Sequence, residues 1–277
     1  DAYQCRRPVG LLDPSFASNR LAGIMRLSES QVSEFQQNGF VVVKGFFGAG
    51  DMTLISDWLD GLAAKDGGGE SKFFETSETT GESILVRIED IFGGNNADFA
   101  ERVISSDART CLDQLLGEAP VLFKEKINFK LPGCRADKLH QDQAAGWNRY
   151  TDFFITMAIA VDENRLDNAA LSFMTSGNYE RSLMCPEWEP LSENDPPYEP
   201  NDEYALLEAD PGDVIFFDCY VPHGSPPNTG NRSRRNIFLT FNRASDGDMR
   251  AQYYADKAKS YPANAAAEAR TPDTFLV

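Results

Sequence analysis

The sequence predicts a mostly β protein with flanking helices, either an antiparallel barrel or a jelly roll. The chain has 277 residues, a length that barrels and sandwiches reach as one domain. Helical patterns fill its first part, and short strand patterns with long connections follow from residue 120. We therefore expect a single domain over 1–277. It has a helical part at about 28–116, a jelly-roll core at about 120–245 and a C-terminal tail at 246–277.

The helical part begins with a capping box, because Ser28 is followed three positions later by Gln31. Further helices are predicted over 51–64 and 97–116, where apolar residues recur on one face. The Gly-rich stretch between these two helices has no such period. We expect a long loop there, with residues 66–82 forming either a mobile lid over the substrate side or a static surface loop.

The β part is indicated by alternation of polar and apolar residues. In "VLFKEKINFKL", the side chains of Lys124, Lys126, Asn128 and Lys130 share one face of the strand, and Phe123 and its apolar neighbours share the other. Further strands are predicted in "FVVVKGFF", "SILVRIEDIF", "DFFITMAIAVD", "AALSFMT", "EYALLE", "GDVIFFDCYVPH" and "RNIFLTFNRA".

Composition narrows the class of function. A net charge of −17 argues against nucleic acid as a partner, because phosphate binding requires a basic face. No stretch is long and apolar enough to cross a bilayer, so we expect no membrane association. The five cysteines are widely spaced and form no CxxC pair, which predicts free thiols in a reducing compartment, the cytoplasm. The sequence does not indicate an oligomeric state.

The chain has only two histidines, and both stand in informative places. His140 lies in "LHQDQAAGW", where Asp142 follows two residues later, and His223 follows a predicted strand. A His-x-Asp pair alone is common by chance. Two imidazoles and one carboxylate, however, form the facial triad of non-haem Fe(II) oxygenases. Arg234, at the start of the next predicted strand, is a candidate for bidentate binding of a carboxylate.

With these residues, the chain resembles the phytanoyl-CoA dioxygenase family of Fe(II)/2-oxoglutarate-dependent oxygenases. The wider match is in "KEKINFKLPG", "HQDQAAGW", "PGDVIFFDCYVPHGSPPN" and "RRNIFLTFNRA", and it extends over about residues 28–257. Within the family, the chain is similar to the ectoine-hydroxylase-like and 2-aminoethylphosphonate-dioxygenase-like branch, whose members act on small polar metabolites. The resemblance implies a double-stranded β-helix, that is, a cupin-like jelly roll.

The resemblance also implies the cofactors and their ligands. His140, Asp142 and His223 would bind Fe(II) and form the catalytic centre, with 2-oxoglutarate as cosubstrate and O2 as oxidant. Arg234 would bind the far carboxylate of 2-oxoglutarate, and Ser225 would add a hydrogen bond to it. Oxidative decarboxylation of 2-oxoglutarate to succinate and CO2 supplies the oxidant that removes a hydrogen atom from the substrate.

Two further side chains are candidates for binding the cosubstrate. Lys126 and Asn128 lie on the polar face of a strand that should border the pocket. They would bind 2-oxoglutarate or substrate if that face lines the barrel. If the face is exposed to water, neither has a functional role.

Four side chains are candidates for binding the substrate. Trp147 follows the metal motif closely and would form a wall of the pocket, unless it is an ordinary core aromatic. Asn236 shares a strand face with Arg234. Arg87 and Arg243 could each pair with an anionic substrate, with structural salt bridges as the alternative.

Several functions stay open at this level. The first is hydroxylation of a small polar or zwitterionic metabolite, such as an amino acid derivative or an aminophosphonate. The second keeps the cofactors but ends in ring closure or desaturation, as in the related kainoid synthases. A non-catalytic jelly-roll binding protein and a zinc hydrolase are the alternatives of other classes; the absence of HExxH argues against the latter.

Overall fold

Among the residues that the structure, a computed structural model, describes, two antiparallel sheets form the centre of the fold. The larger sheet consists, in spatial order, of β3 (Phe40–Val43), β11 (Val214–Asp218), β8 (Ile155–Ala160), β13 (Arg234–Arg243), β6 (Pro120–Lys130), β5 (Ser83–Glu89) and β4 (Ser71–Thr76). The smaller sheet consists of β10 (Tyr204–Leu207), β9 (Leu171–Met174), β12 (His223–Ser225) and β7 (Asp137–His140). A short pair, β1 (Arg20–Leu21) and β2 (Ile24–Met25), stands apart from both.

The described residues are 20–21, 23–65, 68–77, 80–93, 96–175, 180–185, 191 and 204–263. Strands that are distant in sequence are neighbours in both sheets, as in the jelly roll that the sequence predicts. The described helices are α1 (Glu29–Asn38), α2 (Ala49–Ala64), α3 (Ala97–Val103), α4 (Ser106–Leu116) and α5 (Arg250–Ser260). None of them is long and apolar enough to cross a membrane.

The helix boundaries follow local capping chemistry. Ser28 and Gln31 form the predicted capping box at the start of α1, and Gly39 ends that helix with a φ of 77°. The single helix predicted over 97–116 is instead two helices. Ser105 accepts a hydrogen bond from the backbone N–H of Ala108 and so begins α4 as a new helix.

Two apolar clusters hold the layers together. The outer cluster packs helix residues such as Phe35 and Ile55 against the outer face of the larger sheet. The inner cluster lies between the two sheets and consists of Phe40, Ala158, Leu171, Phe173, Ile215, Phe217, Val221 and Phe238. The rings of Phe40 and Phe173 join the two sheets at a centroid distance of 4.8 Å. Polar residues line the part of the barrel interior that the inner cluster does not fill.

The alternation predicted along β6 is confirmed. Phe123, Ile127 and Phe129 belong to the outer cluster, whereas Lys124 and Lys130 are buried on the opposite, barrel-facing side. The polar face of this strand therefore lines the interior of the barrel, and the alternative of a solvated sheet face is wrong.

The loop expected between α2 and β5 is wrong for residues 71–76, which form the edge strand β4 and pair with β5. Phe73 anchors this strand, since its side chain is buried and packs against Tyr261 at a centroid distance of 5.5 Å. Residues 66, 67, 78 and 79 lie outside the described part. Residues 71–76, in the middle of the segment 66–82 that was expected to be a mobile lid, are therefore part of a sheet.

The C-terminal tail contains the helix α5, which packs against β6. Tyr254 donates a hydrogen bond from its hydroxyl to the backbone oxygen of Glu125, and Arg250 pairs with the carboxylate of the same residue. The tail thus packs against β6 and reaches Glu89 at the end of β5.

Candidate metal centre

The three predicted metal ligands meet where the strands of the smaller sheet begin and end. His140 is the last residue of β7, His223 is the first of β12, and the two are direct partners across these strands. Gln141 is extended, with φ −113° and ψ 127°, and Asp142 begins a 3-10 helix. One extended residue between His140 and Asp142 places both side chains on the same side.

The donor atoms of this group face one another. Nε2 of His140 lies 3.8 Å from Oδ1 of Asp142, and Nε2 of His223 lies 3.9 Å from Oδ2. The two imidazole centroids are 4.5 Å apart. All three residues offer a ligand atom within 4.8 Å of the others.

Backbone carbonyls orient both imidazoles. Nδ1 of His140 donates to the oxygen of Lys138 at 2.7 Å, and Nδ1 of His223 donates to the oxygen of Val221 at 3.0 Å. A carbonyl only accepts, so the proton is on Nδ1 and the lone pair is on Nε2. Burial, together with the charge of His140, lowers the pKa of His223 to about 4. The neutral imidazole that a metal requires is therefore the stable form.

Asp142 supplies the negative charge of the centre. Its side chain is buried, and Oδ1 has no hydrogen-bond partner among the described residues. Burial acts to raise its pKa, but the electrostatic interactions with His223, Lys126, His140 and Lys124 outweigh that effect and lower it. An ionised, unpaired carboxylate oxygen between two imidazole lone pairs is a donor set that fits a divalent iron ion.

Arg234 is a buried cation with spare donors. Only 1% of it is exposed, and Nη2 donates to the backbone oxygen of Ala169 at 2.6 Å. Within the described part of the chain, Nε and Nη1 have no hydrogen-bond partner. Burial lowers its pKa to about 10, with the charge of Asp137 acting in the opposite direction, so the guanidinium stays protonated at neutral pH. Two unpaired N–H donors on one planar cation fit the far carboxylate of 2-oxoglutarate.

Ser225 and Asn128 differ in whether their side-chain oxygen atoms already have a hydrogen-bond partner. The hydroxyl of Ser225 donates to Oδ2 of Asp137 at 3.2 Å, and that carboxylate also binds Lys130 at 2.9 Å. A hydrogen bond from Ser225 to a cosubstrate would require this partner to be exchanged. Oδ1 of Asn128 is buried without a partner among the described residues. With Arg87, Asn128 lines a cavity of about 60 Å³.

Lys126 and Trp147 both lie at the boundary of the interior. Nζ of Lys126 is 5.2 Å from the ring centroid of Phe238. Trp147 is buried, and its ring meets that of Phe123 edge-on at 5.7 Å. The ring also has Nζ of Lys124 at 4.9 Å from its centroid. Trp147 is therefore a core aromatic with one contact to the polar interior.

Two predicted substrate ligands have other partners. Asn236 faces the interior as predicted, but its amide exchanges hydrogen bonds of 3.1 and 2.9 Å with Asn164. Arg243 pairs with the exposed Asp152 at 3.2 Å and lies over the ring of Phe153. Alternation gave the direction of Asn236 correctly but did not reveal a partner 72 residues away. Both contacts are structural, so neither residue enters the substrate site that we propose.

Arg87 belongs to a buried group that the sequence analysis mostly missed. Its Nε lies 3.0 Å from the carboxylate of Glu89, which also binds Nζ of Lys257 at 2.7 Å. Lys124 and Lys126 extend this group along β6, and the charge of Lys124 acts on Glu89. We call Arg87, Lys124, Lys126 and Lys257, together with Glu89, the basic cluster. The alternation of β5 and β6 could have indicated that the side chains of Glu89 and Lys124 face the interior. Lys257 lies in the segment expected to be a C-terminal tail, and no pattern in the sequence indicated that it would be buried.

The basic cluster has more basic than acidic side chains. Burial and the neighbouring lysines lower the pKa of Lys124 well below its usual value, and burial lowers that of Lys257 to about 7 despite Glu89. Burial alone would raise the pKa of Glu89, but the charges of Lys257, Arg87 and Lys124 lower it. Among the described residues of this cluster, one carboxylate therefore faces four basic side chains.

Known proteins place this geometry in a family. The profile of the family described as Phytanoyl-CoA dioxygenase (PhyH) matches residues 35–236. A 2-aminoethylphosphonate dioxygenase from an uncultured bacterium, HF130_AEPn_1, is 36% identical over 86% of this chain and 90% of its own length. A methylphosphonate hydroxylase from Gimesia maris is 31% identical over 85% of this chain and 88% of its own length.

The fold agrees with solved structures. The crystal structure of EctD from S. alaskensis with 2-oxoglutarate and 5-hydroxyectoine superposes with a TM-score of 0.65 over 85% of this chain and 82% of that one, at 23% identity. The likeness at this identity concerns the fold alone. The profile match and the two relatives above 30% identity decide the family. The chain belongs to the phytanoyl-CoA dioxygenase family of Fe(II)- and 2-oxoglutarate-dependent oxygenases.

Proposed function

We propose that this oxygenase hydroxylates a small phosphonate, with His140, Asp142 and His223 binding Fe(II) and Arg234 binding the far carboxylate of 2-oxoglutarate. The observation that carries the proposal is the pairing of two preoriented imidazole nitrogens with an ionised, partly unpaired carboxylate. Bound Fe(II) and 2-oxoglutarate supply the oxidation of a C–H bond by O2.

The protein's own part is to hold the metal ligands in position and to shield the metal centre from water. The carbonyls of Lys138 and Val221 fix the ring planes of the two histidines before iron binds. The rings of Phe173 and Phe217 lie 5.5 and 4.8 Å from that of His223 and keep water from this side of the centre. A dry wall protects a reactive oxidant from side reactions.

Two lines of support favour a phosphonate. The relatives at 36% and 31% identity carry the names 2-aminoethylphosphonate dioxygenase and methylphosphonate hydroxylase. A basic interior in a chain of net charge −17 also fits an anionic substrate. Among the described residues, Cys111, Cys134 and Cys219 form no disulfide, which supports a reducing compartment such as the cytoplasm as the place of the reaction.

The test is a substrate panel. Iron-loaded protein is supplied with 2-oxoglutarate, O2 and either 2-aminoethylphosphonate, methylphosphonate, ectoine or the carboxylate analogue of each phosphonate, and succinate is measured. We expect succinate and a product heavier by one oxygen atom with a phosphonate, and neither with Asp142→Asn. A product lighter by two hydrogens would indicate ring closure or desaturation. Succinate release that no phosphonate stimulates would contradict the proposal.

A further inference from the structure

We propose that Lys126, supported by the rest of the basic cluster, binds the anionic head group of the substrate, a tetrahedral dianion of the phosphonate type. The inference rests on the proposed function and assigns a residue to its substrate side. The sequence leaves Lys126 open as a ligand of 2-oxoglutarate or of the substrate, and the two roles differ in position, charge and experimental outcome.

The register of the larger sheet places Lys126 on the metal side of the barrel. Lys126 is the direct partner of Phe238 on β13 and of Glu89 on β5. Phe238 belongs to the inner cluster, whose members Phe173 and Phe217 contact the ring of His223. The ammonium lies over the ring of Phe238. Lys126 therefore stands between the other members of the basic cluster and the wall of the metal centre.

No described carboxylate binds the ammonium of Lys126 directly, although its charge acts on Asp142 of the metal centre. Glu89 is occupied by Arg87 and Lys257, at 3.0 and 2.7 Å. Lys126 makes no hydrogen bond or ion pair with any residue that the structure describes. A cation held inside a barrel beside other cations is costly unless an anion joins it. An anion that joins these four basic side chains and their one carboxylate would favour the protonated forms of Lys124 and Lys257, so the cluster can balance a group of two negative charges.

Position along β13 separates this site from that of 2-oxoglutarate. Arg234 and Phe238, the cross-strand partners of Lys130 and Lys126, are four residues apart, which is roughly 13 Å along a strand. The five-carbon chain of 2-oxoglutarate spans only about 5 Å. A 2-oxoglutarate molecule whose far carboxylate is bound by Arg234 would therefore not also span the distance to the row of Lys126.

The experiment measures the binding of methylphosphonate to the anaerobic Fe(II)–2-oxoglutarate holoenzyme by calorimetry. We expect Lys126→Met to weaken binding about tenfold to a hundredfold, the loss typical of one charge-assisted hydrogen bond. Lys126→Arg should retain most of the affinity, because it keeps the charge. Lys259→Met, at an exposed lysine of α5, is the matched control and should bind as the wild type does.

A second titration follows the affinity for 2-oxoglutarate through the absorption of its iron complex. An unchanged value in Lys126→Met shows that the variant is folded and that its loss concerns the substrate. A loss of 2-oxoglutarate affinity with methylphosphonate binding intact would overturn the inference, as would equal methylphosphonate affinity in both proteins or no binding by the wild type.

The outcome also distinguishes this inference from the proposed function. Methylphosphonate binding that depends on Lys126, without succinate formation from any phosphonate, would keep the anion site and reject the reaction. Phosphonate hydroxylation that Lys126→Met leaves unaffected would keep the reaction and reject the site.

Discussion

Arg234 and Arg235 are adjacent in sequence, yet their guanidinium groups lie on opposite faces of β13. Arg235 binds both carboxylate oxygens of Asp162, at 2.8 and 2.7 Å, and reaches Asp60 at 2.7 Å. Arg234 is buried and has two nitrogen atoms without partners among the described residues. One arginine is thus satisfied at the surface and its neighbour is left available in the interior.

Substitution of these two arginines should therefore have different effects. We expect Arg234→Ala to weaken 2-oxoglutarate binding about tenfold to a hundredfold, because a charge-assisted contact is lost. Arg235→Ala should leave that affinity unchanged and lower the free energy of unfolding by about 1 kcal/mol. Titration of 2-oxoglutarate into the anaerobic iron-loaded proteins measures the first effect and urea unfolding the second. Equal 2-oxoglutarate affinities in the two variants would contradict the assignment.

Removal of the charge of Asp142 should abolish iron binding. With Fe(II) at a hundredfold excess over its dissociation constant, the wild type should gain about 2.7 kcal/mol of stability. Asp142→Asn should gain little, because a neutral amide replaces the anionic ligand. Thermal unfolding with and without Fe(II), together with the iron content after desalting, measures this. Asp113→Asn, at an exposed position of α4, is the control and should behave as the wild type.

The attachment of α5 depends on one fully buried carboxylate. Glu125 accepts hydrogen bonds from the backbone N–H groups of Ile91 and Phe92, at 2.8 and 3.0 Å, and pairs with Arg250 through a 2.9 Å contact of Nε. We expect Arg250→Met to lower the free energy of unfolding by about 3 kcal/mol, since it leaves a buried charge without its cation.

Urea unfolding measures that loss. Arg102→Met, which removes an exposed pair with Asp51, is the matched control and should change the free energy by less than about 1 kcal/mol. A loss of the same size in both variants would show that the burial of Glu125 does not make its ion pair more important for stability than an exposed one.

The basic cluster should give stability a dependence on pH. Burial lowers the pKa of Lys257 to about 7 in the folded protein, where Glu89, Arg87 and Lys126 act on it and its ammonium donates a hydrogen bond to Tyr253, while the unfolded chain has the usual value near 10.4. Between these values the unfolded chain binds more protons, so this residue's contribution to the free energy of unfolding rises with pH.

Wild type and Lys257→Met, compared by urea unfolding at pH 7 and pH 9, isolate that contribution. The stability of the wild type relative to the variant should increase with pH, by up to about 1.4 kcal/mol per unit. A difference that is constant or falls with pH would show that Lys257 stays protonated throughout.

The parts of the fold that the sequence predicted share one property, namely that they follow from local periodicity. Alternation gave both faces of β6 and the inward direction of Asn236, and the spacing of His140 and Asp142 gave their common side. Capping chemistry gave α1, from Ser28 and Gln31. Each of these inferences needs only neighbours within a few residues.

The parts that the sequence did not predict depend on distant partners. The edge strand β4 forms because it pairs with β5 and because the side chain of Phe73 becomes buried. Lys257 becomes part of the interior only because α5 is packed against β6, which brings its ammonium to 2.7 Å from Glu89 at the end of β5. The amide of Asn236 is taken up by Asn164. Such pairings are set by tertiary packing, and they leave no periodic pattern in a single sequence from which they could be predicted.

The direct pairing of His140 with His223 across β7 and β12 makes iron binding a test of correct assembly. A slip of one residue between these strands would turn one imidazole to the other face of the sheet. Misregistered chains would then lose a ligand and with it the stabilisation that the metal provides. Iron present during folding would favour the correct pairing over its nearest competitors, so that the cofactor would select the register as well as perform the chemistry.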